Sequence, residues 1–541
     1  MLKRDLISIL REHFSGKGVS PDRLEDIMMS SLNVPDFFNS VCEAFRVSSE
    51  ELGSFLVSQG FGDIVSRARA SDSLSTPDTK GLDVGVALSP QPLRSPFPEI
   101  FTIECSPGLE SSVPFSSQQH KLLTEIVNHI QQTASQDIFF KLYREDVCSY
   151  HDRFLETDGK LIDAYLQKHF TNGYPRYVVS SGIGANEQWT HFMAMVHNKD
   201  VKRRCTWIVI DSPVQLDRIP QDATKENTVF LEFSRSGETQ ETVKTHEFTS
   251  RDMKRIVFTN NGPLFDLGKR DGNLILGFPD AVPGRFGRNI TPIMLAPLYV
   301  VRQDTKKIWA SIQEAINRFN PALPDSLPLQ LAQFVYVHQR LNRVNHCYVG
   351  SSGDEALLAM SDELVQLWNE GVNKEGNDML MCRYFGQPRD SHTVIEGILA
   401  NRKTKMAIFL MHKQEDFYIM PKFVQEIIDP INPDHAGLRY GQDDFLLAQA
   451  NYERFKECMP VIKIEMMGDL SYGHGAILGQ LWQDFVACYA KILDIDPGSN
   501  PEVRVVRDRS DRYLHSEKEL KKRLRHWQAL FFNALLQLKM Y

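Results

Sequence analysis

The hydrophobic pattern changes texture twice along the chain. From Leu2 to about Arg67 apolar residues return at three-and-four spacing, first Leu24, Ile27, Met28 and Leu32, then Phe37, Phe38, Val41 and Phe45, which predicts a helical module over 1–67. Between Ser71 and Pro114 periodicity is lost among serines and prolines, including Pro90, Pro92, Pro96, Pro98 and Pro107, so 68–116 reads as a linker or an extended strap. Beyond it, short β-branched runs alternate with longer helical patterns. The runs are Tyr177 to Val179, Trp207 to Ile210, Thr228 to Leu231, Arg255 to Phe258 and Leu274 to Leu276. This alternation predicts an α/β fold with a buried parallel sheet flanked by helices. A second series follows, Cys347 to Val349, Met379 to Met381, Met406 to Leu410 and Val461 to Ile464, with helices at Leu357 to Trp368 and Ala476 to Leu493. Two doubly wound parallel-sheet domains are expected, at 117–310 and 311–515, with a C-terminal helix over 516–541. The first strand of each half runs into a Ser-Ser-Gly, at Ser180–Gly182 and Ser351–Gly353, an echo that fits a repeated unit or chance.

Composition narrows the partners. The 541 residues carry 61 Lys plus Arg against 69 Asp plus Glu, a formal charge of -8, and no basic block, which argues against nucleic acid and against an anionic membrane surface. Eight cysteines are thinly spread with no C-x-x-C pair, so neither a disulfide scaffold nor a zinc knuckle is expected, and a reducing compartment fits best. Lys3, Arg4, Asp5 and Arg11 interrupt the first apolar residues, and no stretch approaches the roughly 20 apolar residues of a membrane span. A cytoplasmic protein is the simplest expectation. No H-x-x-x-H or H-E-x-x-H pair stands out, so no metal and no cofactor are expected.

In open α/β sheets ligands sit beyond the carboxyl ends of strands. The most informative such loop follows Phe233 and reads Ser234, Arg235, Ser236, Gly237, Glu238, Thr239, then Gln240, Glu241 and Thr242. Hydroxyls, a guanidinium, a glycine that lets amides converge and a helix start make it a cradle for a phosphate monoester. The competing reading is a hydroxyl-rich capping turn.

The segment resembles the phosphate loop of sugar isomerase (SIS) domains, and its residue order is similar to that of phosphoglucose isomerases. Gln366 to Gly376, with Glu370 and Lys374, resembles the stretch holding that family's catalytic glutamate. Asp390-Ser391-His392-Thr393 is similar to its histidine motif, and Pro283-Gly284-Arg285-Phe286 to its glycine-arginine-aromatic signature. Pro460 to Glu465, Leu478-Gly479, Ile495 to Pro497 and Pro501 to Val503 resemble its closing segment. The style is nearest to isomerases fused to transaldolase, and the resemblance covers roughly 130–515. It implies two SIS domains, a sugar phosphate bound with help from Gly182, Gly184 and Gln366, and a homodimer. Three positions depart from the pattern: Gly184-Ala185-Asn186 replaces a glycine-glycine-serine, Gly287 a serine, and Arg507 a lysine that contacts the sugar ring oxygen. Arginine keeps the charge, but it is bulkier, planar and far harder to deprotonate.

Aldose-ketose interconversion needs a ring-opening group, a base that moves a proton between C2 and C1, and a positive charge near the enediolate. The resemblance puts Glu370 in the role of base, His392 in ring opening and Arg285 beside the enediolate, with Arg507 at the ring oxygen. From the residues alone, Glu370 reads equally as a surface glutamate ending a helix, His392 as a capping histidine and Arg285 as half of a salt bridge. The leading expectation is an isomerase of glucose 6-phosphate and fructose 6-phosphate. The alternative is a catalytically weak or inactive sugar-phosphate-binding regulatory protein, and an interaction protein working through 1–67 ranks last.

Overall fold

The computed structural model describes residues 93–106, 117–134, 147–182, 185–200, 202–279, 286–341, 343–352, 354–374, 377, 379–386, 394–400, 402–412 and 442–498. The helical module expected at 1–67 and the helix expected at 516–541 lie outside the described residues.

The described chain opens with strand β1 (Phe101–Ser106), within the stretch read as linker or strap. Five strands then build the first sheet: β2 (Tyr177–Ser181), β3 (Thr206–Ile210), β4 (Thr228–Phe233), β5 (Lys254–Phe258) and β6 (Leu274–Leu276). All are parallel, in the order β3-β2-β4-β5-β6. The second sheet holds β7 (His346–Ser351), β8 (Leu380–Gly386), β9 (Lys405–His412) and β10 (Val461–Met466), ordered β1-β10-β9-β7-β8. Four of its strands are parallel, while β1 pairs antiparallel with β10, from Phe101 opposite Met466 to Ser106 opposite Val461. Read outward from β2 and β7, the two sheets share one strand order, so the Ser-Ser-Gly echo marks equivalent strands.

Every residue of β2, β4 and β9 is buried, as central parallel strands covered on both faces require. The covering helices include α1 (Ala185–Lys199), α2 (Gln240–Phe248), α3 (Gly262–Arg270), α4 (Pro292–Val300), α5 (Thr305–Arg318), α6 (Leu327–Leu341), α7 (Glu355–Gly371) and α8 (Tyr472–Ile492). The boundary expected at 310–311 falls inside α5, which packs on α8 of the second half.

Helix α8 is buried along nearly its whole length and packs against α1, α5, α6 and α7. Its glycines permit this. A Cβ on Gly479 would stand 2.6 Å from Trp189 Cε2, and one on Gly475 would stand 2.4 Å from Phe192 Cε1, so α1 approaches where side chains are missing. Trp309, Trp368 and Trp482 fill the same core and satisfy their indole N–H groups on the carbonyls of Asn289, Met379 and Met360, at 2.9, 3.0 and 3.1 Å. No described helix is long and apolar enough to cross a membrane.

Candidate functional site

The loop after β4 is built as a cradle. Ser234 is buried and its amide donates to Phe258 O of the neighbouring strand at 3.0 Å, which fixes where the loop leaves the sheet. Its hydroxyl donates to Thr239 Oγ1 at 2.8 Å and accepts the Thr239 amide at 3.3 Å, closing the loop across five residues. Ser236 Oγ accepts the Glu238 amide at 3.3 Å, and Gly237 donates to Ser234 O at 3.0 Å. Gly237 has φ of +66°, and a Cβ there would lie 1.8 Å from Asn261 O, so only glycine fits. Ser236 and Glu238 are exposed, while Arg235 and Thr239 are half-buried. Thr239 is the N-cap of α2 and makes no side-chain cap bond, so its hydroxyl is not spent on the helix. The result is an exposed hydroxyl, a half-buried one and a helix start beyond the carboxyl end of a central strand, with the amides of Ser234, Gly237, Glu238 and Thr239 used to hold the loop itself.

Behind the cradle lies a buried ionic frame. Glu232 of β4 meets His246 of α2 at 2.6 Å and Arg255 of β5 at 3.3 Å, and His246 meets Asp271 at 3.1 Å. The Asp271 carboxyl is held well below the usual range by hydrogen bonds from Arg270 and His246, which outweigh the opposing effect of burial. This frame ties together the strand and helix on either side of the loop.

Next to that loop, Gly182 follows β2 and lies against Phe233, whose Cβ would be 3.4 Å from a Cβ on Gly182. The Ser181 hydroxyl, buried and without a hydrogen-bond partner among the described residues, lines a small cavity there with Gly182, Thr190 and Phe233. Helix α1 begins just beyond and packs along α7, the helix that carries the second group of candidate residues.

Glu370 occupies the last turn of α7, half-buried, and Gln366 Nε2 donates to its Oε1 at 3.0 Å. That turn is zipped to the second sheet by Asn369, which donates to Met381 O at 2.7 Å and accepts the Met381 amide at 3.1 Å. Lys374 just beyond reaches Asp496 O at 2.5 Å, so it shapes the helix end. A Cβ on Gly371 would stand 3.0 Å from Val486 Cγ1 and 3.2 Å from Phe286 Cζ, so the residue following Arg285 packs on Gly371, the neighbour of Glu370 in the chain. Arg285, His392, Arg507 and Gly184 themselves lie outside the described residues.

The other end of α7 is anchored as firmly. Asp354 is its N-cap, accepting the Ala356 amide at 2.9 Å, while Lys199 Nζ donates to Oδ2 at 3.1 Å and His412 Nδ1 lies 3.6 Å away. Burial works to raise the Asp354 carboxyl, but His412, Lys199 and the capping amide outweigh it and hold the carboxyl well below the usual range.

Two buried charges escape sequence reasoning. Arg288, in the turn before α4, donates through Nη1 to Glu363 Oε1 of α7, with both side chains sealed from solvent. Glu363 looks like an ordinary polar position of a helix, and its partner is 75 residues away, so no local signal marks the pair. Among the described residues, no group of three or more His, Cys, Asp or Glu is arranged to hold a metal ion.

No family model and no curated protein matches this chain. Solved structures do. A hypothetical protein from Thermus thermophilus superposes with a TM-score of 0.57 at 18% identity, over 74% of this chain and 96% of that one. A glucose-6-phosphate isomerase from Chlamydia trachomatis superposes with a TM-score of 0.57 at 12% identity, over 80% of this chain and 92% of that one. At these identities the likeness is one of fold: this chain has the two-sheet α/β architecture of those proteins.

Proposed function

We propose that the protein is an aldose-ketose isomerase of phosphosugars, and that it interconverts glucose 6-phosphate and fructose 6-phosphate through a cis-enediol. The observation that carries this reading is the loop of Ser234 to Thr239 beyond β4, with its exposed Ser236 hydroxyl, half-buried Arg235 and Thr239, and the α2 start. In this reading the cradle binds the phosphate through Ser234, Ser236, Thr239 and Arg235, and Gly182 leaves room beside it. Glu370, oriented by the Gln366 amide, moves the proton between C2 and C1. His392 opens the ring, Arg285 stabilises the enediolate and Arg507 donates to the ring oxygen. The shared fold with a glucose-6-phosphate isomerase supports the reading, as do the motifs around Glu370. We take the protein to be cytoplasmic and a homodimer.

A coupled assay with fructose 6-phosphate on the purified protein tests this. Formation of glucose 6-phosphate is expected. Tight calorimetric binding of the sugar phosphate without turnover replaces the isomerase with a sugar-phosphate-binding regulatory protein, and absence of both removes the reading altogether.

A further inference from the structure

The Ser-Ser-Gly echo is matched further along each half. In the first, His197 near the end of α1 donates through Nε2 to Cys205 O at 3.0 Å, while Asn198 accepts the Trp207 amide at 3.0 Å and donates to Trp207 O at 2.7 Å. In the second, Trp368 near the end of α7 donates to Met379 O at 3.0 Å, while Asn369 accepts the Met381 amide at 3.1 Å and donates to Met381 O at 2.7 Å. One and the same interval of sequence separates Ser181 from Ser352, His197 from Trp368 and Asn198 from Asn369. Ser181 and Ser352 are therefore equivalent positions of one repeated strand-and-helix unit.

The two hydroxyls are engaged differently. Ser352 Oγ accepts the amide of His412, at the carboxyl end of β9, at 2.9 Å. Ser180 pairs with Leu231 as Ser351 pairs with Leu410, so Phe233 stands in the first half where His412 stands in the second. The Ser181 hydroxyl takes no bond from Phe233. It is buried and has no hydrogen-bond partner among the described residues. A buried hydroxyl without a partner is costly, so native structures supply one.

Room for that partner exists. Ser181 lines a cavity of about 10 Å³, close to the least that one water molecule needs. Two further hydroxyl residues, Ser180 and Thr190, line it, and Val209, Phe233 and Ile293 close it with apolar surface. Ser180 Oγ accepts the Trp207 indole N–H at 2.8 Å and keeps its own proton to donate. The space suits one water and is far too small for a sugar or a phosphate.

We propose that Ser181 binds a single buried water, and that this water makes Ser181 a positioning residue for the loop after β4. Gly182, next to Ser181, packs on Phe233, and Phe233 leads directly into Ser234. A water anchored on Ser181 fills the gap between the end of β2, α1 and Phe233, and so fixes the wall on which the loop rests. The second half has no need of it, because the His412 amide already satisfies Ser352. The water site rests on geometry alone, whereas its bearing on phosphate rests on the reading of the loop given above.

A crystal structure of the full chain, at a resolution that shows ordered water, tests the site. One water is expected within hydrogen-bond distance of Ser181 Oγ, with inorganic phosphate present or absent. Density showing an empty cavity, or the Ser181 hydroxyl turned onto a backbone carbonyl, overturns the proposal. Isothermal titration with inorganic phosphate reads the positioning role. In Ser181→Ala the water loses its anchor, and phosphate should bind about threefold more weakly or worse, as when a well-ordered bridging water is lost beside a ligand. A merely structural role lowers the melting temperature of Ser181→Ala with phosphate affinity unchanged, and that result overturns the positioning role. Should Ser181→Ala not fold, Ser181→Cys keeps a side chain of the same shape with only the weak hydrogen bonding of a thiol, and the same loss of affinity is expected. Absence of phosphate binding in the unaltered protein overturns the phosphate reading of the loop, while the density still decides the water.

Discussion

Single side chains carry the candidate chemistry, and they differ in how openly the sequence declares them. Ser234, Ser236, Gly237 and Thr239 lie within one loop, so their spacing alone predicts a cradle, and in the folded loop Ser234 closes onto Thr239. Replacing Ser236 and Thr239 together by alanine should weaken binding of a 6-phosphosugar by about 1 to 3 kcal/mol, the loss typical of hydrogen bonds to a charged group. Isothermal titration checks this, and an unchanged affinity removes the cradle from phosphate binding. Glu370 is legible only through its motif, because a glutamate ending a helix is ordinary. Its bond to Gln366 adds a local argument, since an amide one turn back on the same helix fixes the direction in which the carboxylate points. Glu370→Gln keeps the shape and removes the basic oxygen, so turnover should fall roughly 100-fold or more with phosphosugar affinity retained. Steady-state kinetics beside titration separate the two effects. Glu363 is illegible from sequence for a physical reason: a buried carboxylate depends on a partner brought in by tertiary folding, and Arg288 arrives from another domain-sized segment.

At the scale of elements, burial explains what was legible. Strands β2, β4 and β9 are wholly buried, so their β-branched runs stand out, and the structure extends each predicted run by only a few residues. Strand β1 was not legible, because it lies among prolines and is fully buried only at Phe101, so no continuous apolar run marks it. Helix α7 shows how an element transmits order to a site. Its N-terminus is clamped by Asp354 to Lys199 and His412, and its C-terminus by Asn369 to β8, so Glu370 sits on a rod fixed at both ends. The Asp354 carboxyl is depressed in the folded state, so its stabilising effect is present above the unfolded value, about 3.9, and is lost as pH falls through the folded one. Asp354→Asn keeps an oxygen to cap the helix but loses the charge that faces Lys199, so it should cost stability at neutral pH by on the order of 1 kcal/mol, and the deficit should shrink as the pH is taken below about 4. Urea unfolding at several pH values reads this out, and a deficit independent of pH assigns Asp354 a packing role alone.

At the scale of the molecule, the two halves share one strand order but not one way of completing it. The first sheet ends on β6, which follows β5 directly, whereas the second takes its fifth strand from β1, far upstream of β10 in the chain. That long closure is what local periodicity misses: the pattern shows four strands in the second half and gives no reason for a fifth. Its consequence is that the second half is not self-sufficient. Without β1, the outer edge of β10 would present unpaired backbone groups over Val461 to Met466, the kind of edge that recruits other chains. The side chains reinforce the closure, since Glu104 of β1 receives Lys456 at 2.5 Å and lies 3.8 Å from Lys463 of β10. Thr102 stands opposite Glu465, two residues from Ile100, whose carbonyl accepts the Met467 amide at 2.8 Å, so in the alternating antiparallel ladder the Thr102 N–H faces β10, and a proline there removes a backbone donor and restricts the strand. Thr102→Pro should therefore lower the melting temperature by several degrees, raise hydrogen exchange at the β10 amides and increase aggregation with concentration. Exchange should stay unchanged in β2 and β4 of the first sheet, whose strands do not depend on β1. Equal loss of protection in both sheets would mean that the halves unfold as one unit, and unchanged protection in β10 would mean that β1 merely lies along the edge.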